Sequence, residues 1–198
     1  RMVTPSSGTV TVRGRDVAQE DPVALRRSIG YVLQDGGLFP HRTIVDNIAT
    51  VPVLEGVSKA SARADALKLM ELVGLDPSMA KRYPAQLSGG QRQRVGVARA
   101  LANRADILLM DEPFGALDPL VRADLQRQLR RIQKSLGTTI LFVTHDIDEA
   151  IVLGDRIALL REGAQIAQEG TPRDLLLNPD NDFVREFLGT SAISERER

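Results

Sequence analysis

The sequence has 198 residues, enough for one large domain, and its 26 basic and 26 acidic residues give a formal net charge of zero. This balance excludes a field that would draw the whole protein to nucleic acid. The absence of cysteine excludes disulfides and thiolate metal sites and is typical of a reducing cytoplasm. The presence of only two histidines argues against a His-rich metal site. No apolar run is long enough to span a bilayer.

The first half of the sequence predicts a strand at 9–12, a helix at 22–27, a strand at 29–33 and a helix at 58–73. Asp21 is the expected N-cap of the first helix, with Pro22 at its first position. Gly74 is the expected stop of the longer helix. The strand at 29–33 runs into Gln34 and the segment DGG, whose glycines are expected to let the loop move.

The second half predicts a helix after 88, a strand at 107–110, a helix from 118 to 137, a strand at 138–143, a helix at 146–153, a strand at 156–160, a hairpin to 170 and a C-terminal amphipathic helix. The runs ILLM and TTILFV are short and continuously apolar, as expected of strands buried on both faces of a parallel sheet. This alternation predicts an α/β protein. The helical stretch at 42–99 interrupts it and is interpreted as an inserted subdomain. Arg92 and Arg94 are interpreted as a solvated helix face or an inter-subunit contact.

Two acids follow the first apolar run. Asp111 and Glu112 come directly after ILLM, at the carboxyl end of a predicted central strand, where open α/β sheets bind ligands. In a nucleotide hydrolase the first carboxylate would hold Mg²⁺ and the second would polarise the attacking water. The alternative is an ordinary Asp-Glu pair that caps a helix, because two acids after an apolar run are only moderately specific.

Two further polar residues come after predicted strands. His145 comes after TTILFV, where it would donate to a γ-phosphate or position the water. Gln34 ends the strand at 29–33, and its carbonyl oxygen would ligate Mg²⁺ while its amide touches the water. A surface histidine and a solvated loop glutamine are the commoner interpretations of each residue alone. The convergence of strand ends at one sheet edge favours function.

The segment LSGGQ at 87–91 is the most specific signal in the chain. Gly89 and Gly90 would let backbone amides approach a phosphate at a helix N-terminus, and Ser88 would add a hydroxyl donor. A plain helix cap is the alternative. The order Q, LSGGQ, ILLMDEP, GALD and TH along the chain favours the phosphate site over the cap.

With these motifs in this order, the sequence resembles the ATP-binding subunit of an ABC transporter over essentially its whole length. The resemblance implies a P-loop NTPase-type, RecA-like α/β fold with a parallel sheet, and an ATPase that binds ATP and Mg²⁺. It also implies a core at 1–41 and 100–165, an α-helical subdomain with LSGGQ at 42–99, and a C-terminal hairpin end and helix at 166–198. The residues implied to be functional are the metal-associated Gln34 and Asp111, the catalytic Glu112 and His145, and the nucleotide-binding Gln34, Ser88, Gly89, Gly90, Gln91 and Asp118.

The resemblance further implies how two subunits share nucleotide. LSGGQ would complete the site of the opposite subunit, and Asp118, in the motif GALD, would communicate across the dimer. Glu112 would be the catalytic base, and His145 would lie at the γ-phosphate. Binding of ATP would hold the two subunits face to face, and hydrolysis would release them.

One motif of the family does not occur in the sequence. It contains no G-x-x-x-x-G-K-[ST] segment, and none of its four lysines comes after a glycine. The segment RMVTPSSGTVTVRGRDV resembles the part of the family sequence just after the helix that carries this phosphate loop (Walker A). The chain is therefore expected to be an N-terminally incomplete copy whose own site lacks the cradle for the β- and γ-phosphates and which is inactive alone.

The resemblance also implies a substrate class and partners. The segments VLQDGGLFPHRTIVDNIATVPVLEG and THDIDEAIVLGDRIALLREGAQIAQEGTP and the ending NPDNDFVREFLG are most similar to importers of osmoprotectants such as glycine betaine, choline, carnitine or proline. Importers of other amino acids or sulfonates are a close alternative. The implied partners are a second ATPase subunit (a homodimer or a paired subunit), transmembrane permease subunits and, indirectly, an extracytoplasmic substrate-binding protein. The implied location is peripheral, at the cytoplasmic face of the plasma (inner) membrane.

Two other functional classes stay open from the sequence. One is a non-catalytic remnant that docks on a partner without turnover, which the missing phosphate loop favours. The other is an ABC-type ATPase acting on DNA. The zero net charge and the absence of long heptad repeats and of zinc-type cysteines argue against nucleic acid as a partner.

Overall fold

A computed structural model describes residues 3–34, 36–115 and 117–189. The chain forms two compact units, Arg1–Val143 and Thr144–Arg198. Within the described ranges, no helix combines the length and the apolar character needed to cross a membrane.

The first unit is built on a three-stranded parallel sheet. Its strands are β3 (Ile29–Val32), β4 (Ile107–Asp111) and β5 (Thr139–Val143), in the order β3-β4-β5, after a small antiparallel pair of β1 (Thr11–Val12) and β2 (Arg15–Asp16). The register places Tyr31 beside Leu109 and Leu109 beside Leu141. Because all three strands are parallel, their carboxyl ends lie at one edge of the sheet.

The helices of the first unit are α1 (Pro22–Arg27), α2 (Ile44–Ile48), α3 (Thr50–Leu54), α4 (Lys59–Leu72), α5 (Gly89–Leu101) and α6 (Pro119–Leu136), with 3₁₀ turns at Pro77–Lys81 and Pro84–Gln86. Local capping chemistry sets their ends. Asp21 accepts hydrogen bonds from the N–H groups of Val23 and Ala24, as predicted, and Gly137 ends α6 with a left-handed φ of 66°. The short helices α2 and α3 span five residues each, too few to show helical periodicity in the sequence.

Helix α5 lies at the centre of the first unit and is buried on nearly every side, including Val95, Val97 and Ala98. It packs on β3 at Gly30, where an added Cβ would lie 2.5 Å from the carbonyl oxygen of Ala100. Glycine is therefore required at this position by the close approach of helix and strand.

The sequence-based burial of β5 is wrong. Leu141 and Val143 are 63% and 62% exposed. Among the described residues β5 pairs only with β4, so it forms an edge of the sheet, whereas β4 has a neighbour on each side. A continuous apolar run therefore did not distinguish an edge strand from a central one.

The second unit contains α7 (Ile147–Leu153), the strands β6 (Ile157–Arg161) and β7 (Gln165–Gly170), α8 (Pro172–Leu177) and α9 (Asp182–Phe187). The two strands form the predicted antiparallel hairpin, whose turn uses Gly163 at a φ of 74°. Leu159, Ala167 and Val184 form a buried cluster. The predicted C-terminal helix is two short helices, and the prediction for residues 190–198 lies outside the described residues.

The carboxylate of Asp46 joins α2 to α4. The guanidinium of Arg63 donates to it at 2.8 and 2.7 Å, and this hydrogen bonding lowers the pKa of Asp46. A lowered carboxylate pKa stabilises the fold above the unfolded pKa of about 3.9, and the contribution is lost as pH falls through the folded pKa.

We expect Arg63→Met to destabilise the protein at pH 7 and to cost progressively less as pH falls below about 4. Urea unfolding of both proteins across this range measures the difference. Arg131→Met, which removes an exposed arginine of α6, is the matched control and should show no such pH dependence. A difference that stays constant with pH would mean that the ion pair does not form in solution.

Candidate functional site

Two predicted site residues meet at the carboxyl ends of neighbouring strands. Gln34 comes after β3, Glu112 comes after β4, and the amide Nε2 of Gln34 donates to Oε2 of Glu112 at 3.2 Å. The backbone N–H of Glu112 donates to the carbonyl of Val143 at 2.9 Å, which holds the residue against the end of β5. Glu112 has a φ of 41°, a left-handed conformation that is unusual for a side chain of this size and that concentrates at functional sites.

Asp111 is the last residue of β4 and is exposed at the same edge. Because Nε2 of Gln34 donates to Glu112, its amide oxygen is the atom available to a cation. A carboxylate and an amide oxygen are hard donors of the kind that Mg²⁺ uses, usually one or two from the protein with phosphate and water completing the shell. In the described ranges, no three or more His, Asp or Glu side chains lie close enough together to bind a metal ion by themselves. The donors present fit a cation shared with a phosphate.

The segment Ser88–Gln91 begins α5. Oγ of Ser88 accepts from the N–H of Gln91 at 3.2 Å, and Oε1 of Gln91 accepts from the N–H of Ser88 at 2.9 Å, so the two residues form a capping box. The alternative interpretation as a helix cap is thus correct for Ser88. It does not exclude an anion site, because the hydroxyl hydrogen of Ser88 and the first-turn N–H groups of Gly89 and Gly90 point to no acceptor in the described part of the chain.

The two glycines of this segment differ in their surroundings. Gly89 is exposed, whereas Gly90 is buried and an added Cβ would lie 2.6 Å from Cγ1 of Val121 on α6. Close packing therefore explains Gly90 as well as backbone access to a phosphate does. Asp118 accepts from the N–H of Val121 at 3.1 Å as the N-cap of α6, so its carboxylate shapes the loop beside Gly90.

The loop that carries Gln34 is hydrogen-bonded to α5 and packs closely against it. Gly36 has a φ of 73°, and an added Cβ would lie 2.8 Å from the carbonyl oxygen of Arg92 on α5. Arg99 donates to the carbonyls of Gly36 and Gly37 at 2.8 and 2.7 Å. Gly36 therefore serves close contact with the helix, whereas an added Cβ at Gly37 would meet the side chain of Leu33 in the same loop. The sequence did not reveal either contact.

His145 belongs to the second unit, in a turn that leads into α7. Oγ1 of Thr144 donates to Oε2 of the buried Glu149 at 2.7 Å and accepts from the N–H of Asp146 at 3.0 Å. Asp146 in turn caps α7 by accepting from the N–H groups of Asp148 and Glu149. The chain on both sides of His145 is therefore fixed by local hydrogen bonds.

A groove of about 470 Å³ opens between α1, β3, α3 and α5. Its lining includes the apolar side chains of Tyr31, Phe39 and Leu54 and the cations of Arg26 and Arg27. None of its described lining residues is acidic. The groove therefore combines apolar side chains with arginine side chains and lacks an acidic one among its described lining residues.

The interpretation of Arg94 as a solvated residue is wrong. Its side chain is 11% exposed, and it donates to the carbonyl of Val73 at 2.8 Å and to the carboxylate of Asp124 at 2.7 Å. It also donates to Oε1 of Gln128. Arg94 thus joins α5 to the end of α4 and to α6. Its helical spacing gave no sign of this, because its partners are 21 to 34 positions away in the sequence.

The profile of the family described as ABC transporter matches residues 1–115, more than half of the chain. The chain belongs to the ABC transporter family. Its fold is that of the ABC ATPase cassette, a P-loop NTPase: a dimeric ATP-binding cassette, MJ0796, in a post-hydrolysis state bound to ADP and Pi superposes with a TM-score of 0.76 and 32% identity. That match covers 86% of this chain and 76% of the solved one.

Relatives within the ABC transporter family are ATP-binding proteins of importers. The glycine betaine/carnitine/choline transport ATP-binding protein OpuCA of Bacillus subtilis (strain 168) is 51% identical over 193 residues, 98% of this chain and 50% of that protein. The glycine betaine uptake system ATP-binding protein YehX of Escherichia coli (strain K12) is 48% identical over 196 residues, 99% of this chain and 63% of that protein. The chain spans about half the length of the curated relatives it matches.

Proposed function

We propose that the complete protein is the ATP-binding and ATP-hydrolysing subunit of an ABC importer for osmoprotectants such as glycine betaine, choline, carnitine or proline. The contact between Gln34 and Glu112 at the ends of adjacent parallel strands carries the ATPase part of this proposal. The osmoprotectant part is supported by relatives of about 50% identity that are named for glycine betaine, carnitine and choline. Importers of other amino acids or sulfonates are the second candidate for the solute.

Glu112 acts as the general base in this proposal. Its carboxylate takes a proton from the water that attacks the γ-phosphate, and Gln34 holds that carboxylate in place through its amide. Asp111 and the amide oxygen of Gln34 would hold Mg²⁺, which would neutralise charge on the phosphates. His145 donates to the γ-phosphate, a role proposed from the family resemblance alone.

Ser88, Gly89, Gly90 and Gln91 serve the nucleotide of a second ATPase subunit. The support is the N-terminus of a 13-residue helix whose first-turn amides and serine hydroxyl are directed to no acceptor in the described residues. Asp118 shapes the adjoining loop and takes part in contact across the dimer. The solved cassette with the same fold is dimeric, which supports pairing of this kind.

The groove between α1, β3, α3 and α5 receives a helix of the membrane-embedded permease. Its apolar and arginine side chains support a peptide partner with apolar side chains. The protein is accordingly peripheral at the cytoplasmic face of the plasma membrane, and it reaches an extracytoplasmic substrate-binding protein only through the permease.

The 198 residues alone are proposed to be inactive because they contain no G-x-x-x-x-G-K-[ST] segment to hold the β- and γ-phosphates. The alternative of a non-catalytic fragment applies to this chain as it stands, whereas the presence of Glu112 and His145 supports catalysis by the complete protein.

Calorimetric titration with Mg-ATP tests both statements, with Glu112→Ala in place to suppress turnover. The complete protein should bind ATP in the micromolar to millimolar range typical of enzyme substrates, and the 198-residue chain should give no detectable heat. Absence of binding by the complete protein would contradict the ATPase proposal. Equally tight binding by the 198-residue chain would contradict the role given to the phosphate loop.

A further inference from the structure

The loop that carries Gln34 is bonded to one face of α5. Nε2 of Gln93 donates to the carbonyl of Leu33 at 3.4 Å, and Arg99 donates to the carbonyls of Gly36 and Gly37 on the other side of Gln34. The donors are six residues apart on α5, about 1.7 turns along the helix and about 120° apart around its axis, with Gly96 midway between them.

Backbone contact reinforces these hydrogen bonds. Between the two donors on α5 lies Gly96, where an added Cβ would lie 3.1 Å from the Cα of Gly36. Helix and loop therefore touch without intervening side chains. Neither segment can shift by more than a fraction of an ångström without the other moving or the hydrogen bonds breaking.

Arg99 donates to the carbonyls of the loop and does not form a salt bridge in the described residues. Burial lowers the pKa of its guanidinium, and no carboxylate in the described residues pairs with it. Its guanidinium lies 5.9 Å from the ring centre of Phe39, within the range of a cation–π contact. Arg99 is half-buried, and its hydrogen bonds in the described residues go to loop carbonyls, which offset the cost of removing part of its charge from water.

We propose that Arg99 is a positioning residue for Gln34, and through Gln34 for Glu112, so that the helix that begins at Ser88 sets the geometry of the catalytic carboxylate. The proposal rests on the ATPase function proposed above. Gln34 lies between the carbonyls that Gln93 and Arg99 hold, and its own side chain contacts Glu112. A displacement of α5 when Ser88–Gln91 meet the nucleotide of a second subunit then moves Gln34 relative to Glu112.

The first test uses the 198-residue chain and needs no activity. The side-chain amide resonance of Gln34, assigned by its loss in Gln34→Ala, reports the hydrogen bond to Glu112. In Arg99→Met, the Gln34 side-chain resonance should shift toward its position in Glu112→Ala. Arg99→Lys keeps the positive charge but cannot donate to two carbonyls with a planar guanidinium, so it should produce a smaller shift in the same direction. The control Arg131→Met should leave it unchanged.

An unchanged Gln34 resonance in Arg99→Met, with shifted backbone amides at Gly36 and Gly37, would overturn the proposal. If Arg99→Met does not fold, Arg99→Lys and Gln93→Leu make the same comparison, and an unchanged resonance in both would overturn it equally.

The second test measures ATP hydrolysis by the complete protein assembled with its permease. Arg99→Lys should lower kcat about tenfold and change KM for ATP less than about twofold, because misplacement of Glu112 affects the chemical step and not nucleotide binding. An unchanged kcat, or a rise in KM that accounts for the whole loss, would contradict the positioning role. Undiminished hydrolysis by Glu112→Gln would instead contradict the proposed function, and the resonance test would still stand on its own.

Discussion

Glu112→Gln should lower ATP hydrolysis by the complete protein by about 10²- to 10⁴-fold and leave ATP binding intact. The glutamine side chain has almost the same shape as glutamate, so it keeps the contact with Gln34 but cannot accept the proton of the attacking water. Release of inorganic phosphate measures the rate, and calorimetry with Mg-ATP measures binding.

Glu71→Gln is the matched control for this experiment, because Glu71 is an exposed residue of α4 that undergoes the same chemical change. It should leave both hydrolysis and binding unchanged. If Glu112→Gln hydrolyses ATP within a few-fold of the unsubstituted protein, Glu112 is not the base, and the contact between Gln34 and Glu112 has only a structural role.

Arg94→Met should destabilise the protein by about 2–3 kcal/mol, because it removes hydrogen bonds to a carbonyl and a carboxylate and leaves the carbonyl of Val73 without its donor. The carboxylate of Asp124 is 43% exposed and can turn to water, which keeps the cost below that of a fully buried ion pair. Urea unfolding at pH 7 measures the change.

Two comparisons decide how the Arg94 result is interpreted. Arg131→Met, at an exposed position of α6, should change the unfolding free energy by no more than about 0.5 kcal/mol. Combining Arg94→Met with Asp124→Leu should cost less than the sum of the single changes, because both remove the same interaction. If Arg94→Met behaves like the exposed control, Arg94 is solvated in solution, as its sequence pattern suggested.

Local chemistry made part of the fold predictable. The caps Asp21 and Asp118, the stop at Gly137 and the turn at Gly163 depend on residues within a few positions of one another, and all are observed. The meeting of Gln34 with Glu112 was predictable for a different reason, since parallel strands bring their carboxyl ends to one edge of the sheet.

Contacts between distant segments were not predictable. The burial of Arg94 depends on Val73 and Asp124, and the contact of the loop at Gly36 with α5 depends on Arg99, 63 residues further along. A single sequence shows the propensity of an arginine for solvent and of a glycine for movement, but not the partner that overrides either.

The exposed β5 illustrates the same limit for strands. Its apolar run resembles that of β4, but Leu141 and Val143 lie on the sheet face that carries Tyr31 and Leu109, which is less covered than the opposite face. A continuous apolar run does not encode which face is covered.

ATP-driven uptake of labelled glycine betaine is the most direct test of the proposed importer function. The complete protein would be reconstituted with its permease and substrate-binding protein in liposomes, with ATP supplied on the side of the ATPase, and compared with Glu112→Gln. We expect uptake that requires ATP, is absent with Glu112→Gln and is competed by choline, carnitine or proline. Uptake that continues with Glu112→Gln, or ATP hydrolysis that drives no uptake of any of these solutes, would contradict the proposed function.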